Sequence, residues 1–248
     1  MGQLDGKTAL IVGGGTGIGL ATAVALAQAG CRVVIAGRRQ EVLARAAARA
    51  AATFAGPPAI IHHPVDVGDP HSVETLVSWS IEQLGQIDIF VNSAGINVVR
   101  RTLAELSIED WERLLHTNAS GAFYCLRSLL PHMRRRKQGL IVNVSSIAGK
   151  RASVLSGIGY SAAKFALTAL GMTAGIEEAE HNIRITNLYP GEVDTPILDM
   201  RPQPLSDEHR ASILQPSDVA AAITMLATLP PRVHIPEMVI KSIGQVYR

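Results

Sequence analysis

The chain has 248 residues, of which 47% are hydrophobic and 18% charged, and its formal net charge is +2. A chain of that length accommodates one α/β domain with a large core and leaves no room for a separate substrate domain. The apolar share excludes an intrinsically disordered chain, and so small a net charge argues against a nucleic-acid partner.

Thr8-Ala9-Leu10-Ile11-Val12 is a short apolar run rich in β-branched residues and reads as a buried strand. Gly13-Gly14-Gly15-Thr16-Gly17-Ile18-Gly19 follows, and Leu20 to Ala29 is rich in alanine and leucine, hence helical. Strand, glycine loop and helix in that order place a phosphate at a helix N-terminus, where backbone N–H groups lack partners. The glycines fit GxGxxG in no register; they fit GxxxGxG at Gly13, Gly17 and Gly19. Thr8 to Cys31 carries no charge and is long enough to span a membrane, but its glycine cluster would break a spanning helix.

Arg32 to Ala36 is a second strand and completes a βαβ unit. At the end of such a strand an Asp or Glu bonds the ribose 2′-hydroxyl of NAD, whereas an Arg accommodates the 2′-phosphate of NADP. Here the residues are Gly37-Arg38-Arg39, and the nearest acid, Glu41, already belongs to the next helix. A phosphate dianion suits a guanidinium fork, so Arg38 points to NADP(H) over NAD(H), with Arg39 read as solvated surface.

Strands and helices then alternate, which predicts a doubly wound parallel sheet with helices on both faces in a single domain. Further strands are expected at Ala59–Pro64, Ile87–Asn92, Leu140–Ser145, Arg184–Tyr189 and Glu237–Ile240. Further helices are expected at Glu41–Ala55, Pro70–Leu84, Ile108–Arg136, Tyr160–His181 and Pro216–Thr228. His62 and His63 end a strand with no ligand partners at a useful spacing, so no metal is expected. Cys31 and Cys125 are far apart and read as buried thiols. Arg134-Arg135-Arg136-Lys137 closes the long middle helix, where cations favour the dipole; a solvated helix end is the simpler reading, and a dock for an acyl-carrier protein the alternative. Ser217 and Asp218, after Pro216, resemble a helix cap. Glu192 to Gln215 is rich in proline, charge and methionine, and its place after a strand's carboxyl end makes it a candidate lid. No positively charged leader with a cleavage site opens the chain, so a cytoplasmic location is expected.

The stretch with the most chemical content is Tyr160-Ser161-Ala162-Ala163-Lys164. A phenol and an ammonium four residues apart lie on one helix face. A free tyrosine ionises near pH ~10, and a nearby cation favours its phenolate. The pair is therefore expected to exchange a proton with a hydroxyl or carbonyl oxygen. Alone, the pair is also compatible with an exposed helix face.

Together these residues closely resemble the short-chain dehydrogenase/reductase family over nearly the whole chain. Gly13 to Gly19 matches its cofactor loop, with Gly13, Gly15, Thr16, Gly17 and Ile18 as binding residues. The resemblance assigns Asp66-Val67 to adenine contact, and Asn92-Ser93-Ala94-Gly95 to the segment that shapes the fourth strand's end, with Asn92, Ala94 and Gly95 at the cofactor. Pro190-Gly191-Glu192-Val193-Asp194-Thr195 matches PGxxxT, which lies against the nicotinamide and contributes Pro190, Gly191, Val193 and Thr195. Ser146, Tyr160, Lys164 and Asn118 match the family's catalytic residues. In carbonyl reduction Tyr160 is implied as proton donor and Ser146 as hydrogen-bond donor to the substrate oxygen. Lys164 is implied to lower the Tyr160 pKa and hold the ribose, and Asn118 to hold a water near Lys164. Val12 stands where the family has Thr, Ser93 replaces an Asn, and the serine–tyrosine spacing leaves Ser145 as an alternative to Ser146.

The substrate pocket is expected between Ile96–Arg101, Lys150–Gly159 and Glu192–Gln215, which combine Ile96, Val98, Val154, Leu155, Leu198 and Met200 with Arg100, Lys150 and Arg151. A rim cation there recognises a carboxylate or is simply solvated. The segment Ala227 to Ile240 resembles the branch of NADP-dependent 3-hydroxy acid and serine dehydrogenases and broad carbonyl reductases. Expected, then, is an NADP(H)-dependent oxidoreductase acting on a small carbonyl or alcohol. The alternatives are a 3-oxoacyl-acyl-carrier-protein reductase and, from another class, a non-catalytic NADP(H)-sensing regulator. The two long helices are apolar around much of their circumference, and the family is oligomeric, so a homo-oligomer, tetramer or dimer, is expected.

Overall fold

A computed structural model describes residues 2–52 and 60–246. Seven parallel strands form one sheet: β1 Thr8–Val12, β2 Arg32–Gly37, β3 Ile60–Pro64, β4 Ile89–Asn92, β5 Gly139–Val144, β6 Ile183–Pro190 and β7 Glu237–Ile240. Their order across the sheet is β3-β2-β1-β4-β5-β6-β7. Among the described residues eight α-helices connect and flank them: α1 Gly17–Gln28, α2 Gln40–Ala51, α3 Pro70–Leu84, α4 Ile108–Leu115, α5 Gly121–Arg136, α6 Ile158–Glu177, α7 Asp207–Ser212 and α8 Pro216–Thr228.

The two-residue side-chain period of a strand sorts the core into two layers. Ala9 and Ile11 of β1 pack with Ala23 and Leu26 of α1, Leu43 of α2 and Ile223 of α8. Leu10 and Val12 face the other way, onto Leu76 of α3, Leu129 of α5 and Ala174 of α6. Burial on both faces is why the central strands read as unbroken apolar runs rather than alternating ones.

Element boundaries depart from expectation in a few places. Helix α1 begins at Gly17, three residues before the alanine-rich run. The ends expected for the second helix, at 53–55, and for the third strand, at Ala59, lie outside the described residues. The helix expected over Ile108–Arg136 is interrupted: a π-turn, His116–Ser120, separates α4 from α5. The helix expected to reach His181 stops at Glu177, followed by a separate 3-10 turn, Ala179–His181. The cap of α8 is Gln215, not Ser217: its N–H donates to Asp218 Oδ2 at 2.8 Å. Residues 192–215 are more regular than expected, holding a 3-10 turn, Pro196–Met200, as well as α7.

Two residues of the basic run tie the fold together, while Arg135 and Lys137 are exposed. Arg134 clamps Glu178 through two nitrogens, and Arg136 donates to the Ile87 carbonyl at 2.9 Å and pairs with Asp88 at 2.5 Å. Cys31 and Cys125 are buried free thiols, and burial pushes both up to about 12. Among the described residues no helix is long and apolar enough to cross a membrane.

Candidate active site

The strand order reverses between β1 and β4, and that switch point opens a crevice at the strands' carboxyl ends. Register brings those ends level: Val12 lies beside Asn92, Asn92 beside Asn143, and Asn143 beside Asn187. The glycine loop leaves β1 at the crevice. Gly13 has φ +73°, and a Cβ there would stand 2.5 Å from the Ser93 carbonyl. A Cβ on Gly19 would stand 2.3 Å from the Gly13 oxygen. Both positions thus exclude any side chain, the loop folds tightly against β4, and α1 starts at once. Thr16 caps α1 without a side-chain hydrogen bond, which leaves first-turn N–H groups open. Ser93 N–H donates to the Val12 carbonyl at 3.0 Å, a backbone tie that needs no side chain at position 12.

A cavity of about 510 Å³ fills this crevice. Its walls include Gly13, Gly15, Thr16, Gly17 and Ile18 of the loop, Arg38 at the end of β2, Val67, and Ala94 and Gly95 after β4. Tyr160, Lys164 and Thr195 close its far end. Arg39, read from sequence as mere surface, also lines it. No carboxylate lines it among the described residues, whereas Arg38, Arg39, Arg113 and Lys164 do. Five expected residues are not on its wall: Asp66, Asn92, Pro190, Gly191 and Val193. Asp66 is exposed and turns back on its own loop, accepting from Gly68 N–H at 3.0 Å. Asn92 is buried within β4.

A second cavity, of about 1050 Å³, adjoins the first, and Tyr160 lines both. Pro190, Gly191 and Val193 wall the larger one, and Thr195 lines both. Ser146 caps the 3-10 turn Ile147–Gly149, accepting from Ala148 N–H at 3.1 Å, and its hydroxyl hydrogen-bonds Tyr160. Ser145 is buried beneath, its hydroxyl directed at the Lys164 carbonyl 3.4 Å away. This geometry favours Ser146 over Ser145 as the partner of Tyr160.

The electrostatics differ from expectation. Burial pushes the Tyr160 hydroxyl up to about 12, against a pull downward from the Ser146 hydrogen bond and the Arg101 charge. Lys164 Nζ lies 5.6 Å from the Tyr160 ring centre and donates to the Val144 carbonyl at 3.0 Å. Burial pushes Lys164 itself down to about 8. Tyr160 therefore stays above its ordinary value, against the expectation that Lys164 lowers it: desolvation outweighs the Ser146 hydrogen bond and the Arg101 charge. Asn118 sits in the π-turn, and its amide pairs with Ile96 in both directions, accepting from Ile96 N–H at 2.8 Å and donating to Ile96 C=O at 2.9 Å. Its side chain thus fixes the chain after β4, beside Gly95 and Lys164, rather than reaching for solvent.

The walls of the larger cavity also correct the sequence reading. Arg100 is exposed and does not line it, and Lys150 pairs with Glu237 at 2.7 Å. Arg101, Arg201 and His209 do line it, along with Arg151. Leu155 and Leu198 contribute as expected, while Val154 faces an outer groove. The segment after β7 folds back to place Gln245 there, where its Oε1 accepts from Glu192 N–H at 3.0 Å. Periodicity offers no signal for such residues, because they come from irregular segments.

Comparison with known proteins agrees with this architecture. The chain is 33% identical over 243 residues to an uncharacterized oxidoreductase of Staphylococcus haemolyticus, covering 98% of this chain and 100% of the relative. It superposes on an alcohol dehydrogenase from Thermococcus sibiricus, complexed with 5-hydroxy-NADP, with a TM-score of 0.86 and 29% identity, covering 98% and 99% of the two chains. A 3-ketoacyl-(acyl-carrier-protein) reductase from Brucella melitensis, complexed with NADH, gives a TM-score of 0.85 and 28% identity over 96% of this chain and 98% of that one. The short chain dehydrogenase family profile matches residues 7–205, and with that match the protein is a member of the short-chain dehydrogenase family of oxidoreductases.

Proposed function

We propose that this protein is an NADP(H)-dependent oxidoreductase that interconverts a ketone or keto acid and a secondary alcohol, with Tyr160 as acid and base. The observation that carries the reading is the position of Tyr160 on the wall shared by the two cavities, hydrogen-bonded to Ser146. One cavity suits a dinucleotide and the other a substrate. A crevice with arginines, open helix N–H groups and no lining carboxylate among the described residues fits a ligand rich in phosphate. Arg38 and Arg39, at the end of β2, would hold the 2′-phosphate, and the glycine loop the pyrophosphate. When bound, the nicotinamide supplies or accepts a hydride.

The chain's own residues do the rest. Tyr160 is protonated at neutral pH, since its hydroxyl is pushed up to about 12, and so donates its proton to a carbonyl oxygen during reduction. Ser146 hydrogen-bonds the same oxygen as negative charge develops on it. Lys164 orients the ribose and sets the charge beneath the Tyr160 ring. Asn118 acts as a positioning residue through Ile96. Residues 192–215 cover the larger cavity as a lid. We further propose that the protein assembles as a homo-oligomer through α5 and α6.

Turnover of ketones with NADPH, compared with NADH, tests the reading. We expect a higher kcat/KM with NADPH, and Arg38→Ala to raise the KM for NADPH while changing that for NADH little. Tyr160→Phe should lower turnover at least ~10²-fold while cofactor fluorescence still reports binding. Near-normal turnover in Tyr160→Phe would overturn the proton-donor role. Cofactor binding without turnover of any carbonyl would favour the sensing alternative.

A further inference from the structure

The larger cavity carries a charge arrangement that reduction of a neutral ketone does not call for. Arg101, Arg151 and Arg201 line it, and among the described residues the one carboxylate on its wall is Glu192. Glu192 is already engaged: Arg201 lies 3.1 Å from one of its oxygens and His209 Nε2 2.6 Å from the other. Arg101 is the unusual member. It is 5% exposed and pairs with no carboxylate among the described residues. Its Nη1 donates to the Leu155 carbonyl at 2.9 Å and its Nη2 to the Met200 carbonyl. Its Nε is buried with no partner. A buried guanidinium held only by neutral carbonyls, with one donor unused, is costly unless an anion completes it.

The placement is specific. Arg101 packs across Gly157, where a Cβ would stand 2.6 Å from its own Cβ, so the side chain is held close to the backbone just before α6. From there it influences the Tyr160 hydroxyl and feels the charge of Arg201. Arg101 thus acts on the proposed proton donor, and Arg201, on the wall of the same cavity, is paired with Glu192. A carboxylate entering the cavity would trade Arg101's neutral acceptor at Met200 for a charged one, and charge-assisted hydrogen bonds are roughly twice as strong.

We propose that the larger cavity selects substrates bearing a carboxylate near the reacting carbonyl, that is short oxo acids and the corresponding hydroxy acids, and that Arg101 assisted by Arg201 recognises that carboxylate. The inference rests on the carbonyl-reduction reading above and narrows its substrate class. Arg101 is then a specificity-determining residue. Because Met200 lies in residues 192–215, anion binding and the position of that segment are coupled through the same guanidinium.

The experiment compares 3-oxobutanoate with its methyl ester, using NADPH. The acid should be favoured ~10–100-fold in kcat/KM, the range of hydrogen bonds to charged groups. In Arg101→Met that acid-to-ester ratio should fall at least ~10-fold, chiefly through the KM of the acid, and Arg101→Lys should recover part of it. An ester used as well as the acid, or a ratio unchanged in Arg101→Met, would overturn the proposal while leaving carbonyl reduction standing. A readout independent of turnover separates the two readings: calorimetric binding of butanoate against butanamide in the presence of NADP+. The wild type should prefer butanoate, and both Arg101→Met and Arg201→Gln should weaken that preference. If no carbonyl compound is reduced yet the preference holds and depends on Arg101, the anion site stands and the reductase reading fails. Equal binding of the two probes removes the anion site, whatever the turnover.

Discussion

Lys164, proposed above to orient the ribose, sits where its charge costs the fold. It is 3% exposed, its ammonium donates to the Val144 carbonyl, and burial pushes it from 10.5 down to about 8. A base with a depressed folded-state pKa binds fewer protons folded than unfolded between those two values, so stability rises with pH across that window. Below pH 8 both states carry the charge and its burial cost is fully present. Lys164→Met is therefore expected to stabilise the protein at pH 7 by ~1–3 kcal/mol, an advantage that shrinks toward pH 10, while turnover is lost. Urea unfolding at pH 7 and pH 10 reads this directly, and a destabilised variant at pH 7 would contradict it. The spacing of Tyr160 and Lys164 was legible because four residues on a helix define one face. The direction of the Tyr160 shift was not, since it depends on how much water the surrounding loops exclude. Arg101 was illegible for the same reason: nothing local distinguishes it from Arg100, which is exposed.

At the scale of elements, strands were legible to within a residue or two because their apolar runs are short and bounded by glycine, proline or charge. The break between α4 and α5 was not. His116-Thr117-Asn118-Ala119-Ser120 contains neither proline nor glycine, and its apolar pattern continues through the turn. What produces the π-turn is tertiary: Asn118 reaches sideways to both polar groups of the Ile96 backbone. Asn118→Ala would leave those two groups without partners, at about 1–3 kcal/mol each if water does not replace the amide. We expect a lowered Tm together with a fall in kcat of ~10-fold in protein that is still folded at 25 °C. A lowered Tm with unchanged kcat would reduce Asn118 to a purely structural role. Residues 192–215 read as irregular because their ties are ionic and distant, such as Arg210 to Asp194 at 2.7 Å and to Asp199 at 2.6 Å.

At the scale of the whole molecule, the alternation of strand and helix was enough to predict the parallel sheet, because each crossover needs a helix. The expectation of an apolar surplus on the long helices was only partly met. Leu114, Ala122, Leu126, Leu129, Leu130 and Leu167 are buried inside the subunit, while Phe123, Phe165, Met172 and Ile176 remain exposed, the last at 80%. The proposed oligomer would bury these four, and sedimentation at micromolar concentration should show a species larger than a monomer. Replacing Phe123 and Ile176 with glutamate should shift it toward the monomer, and a wild type that sediments as a monomer would refute the assembly. Val193 and Leu214 form a parallel bridge, made by Asp194 N–H to the Leu214 carbonyl at 2.8 Å and Leu214 N–H to the Glu192 carbonyl at 3.1 Å. That bridge is a neck, and the residues between its two sides form a loop closed at its base. Lengthening such a loop costs little, ~0.6 kcal/mol for each doubling, and the strain of any insertion ends at the neck. Insertions within that loop, which belongs to the segment proposed above to cover the larger cavity, would therefore leave β6 and the sheet as they are and change the shape of the cavity instead.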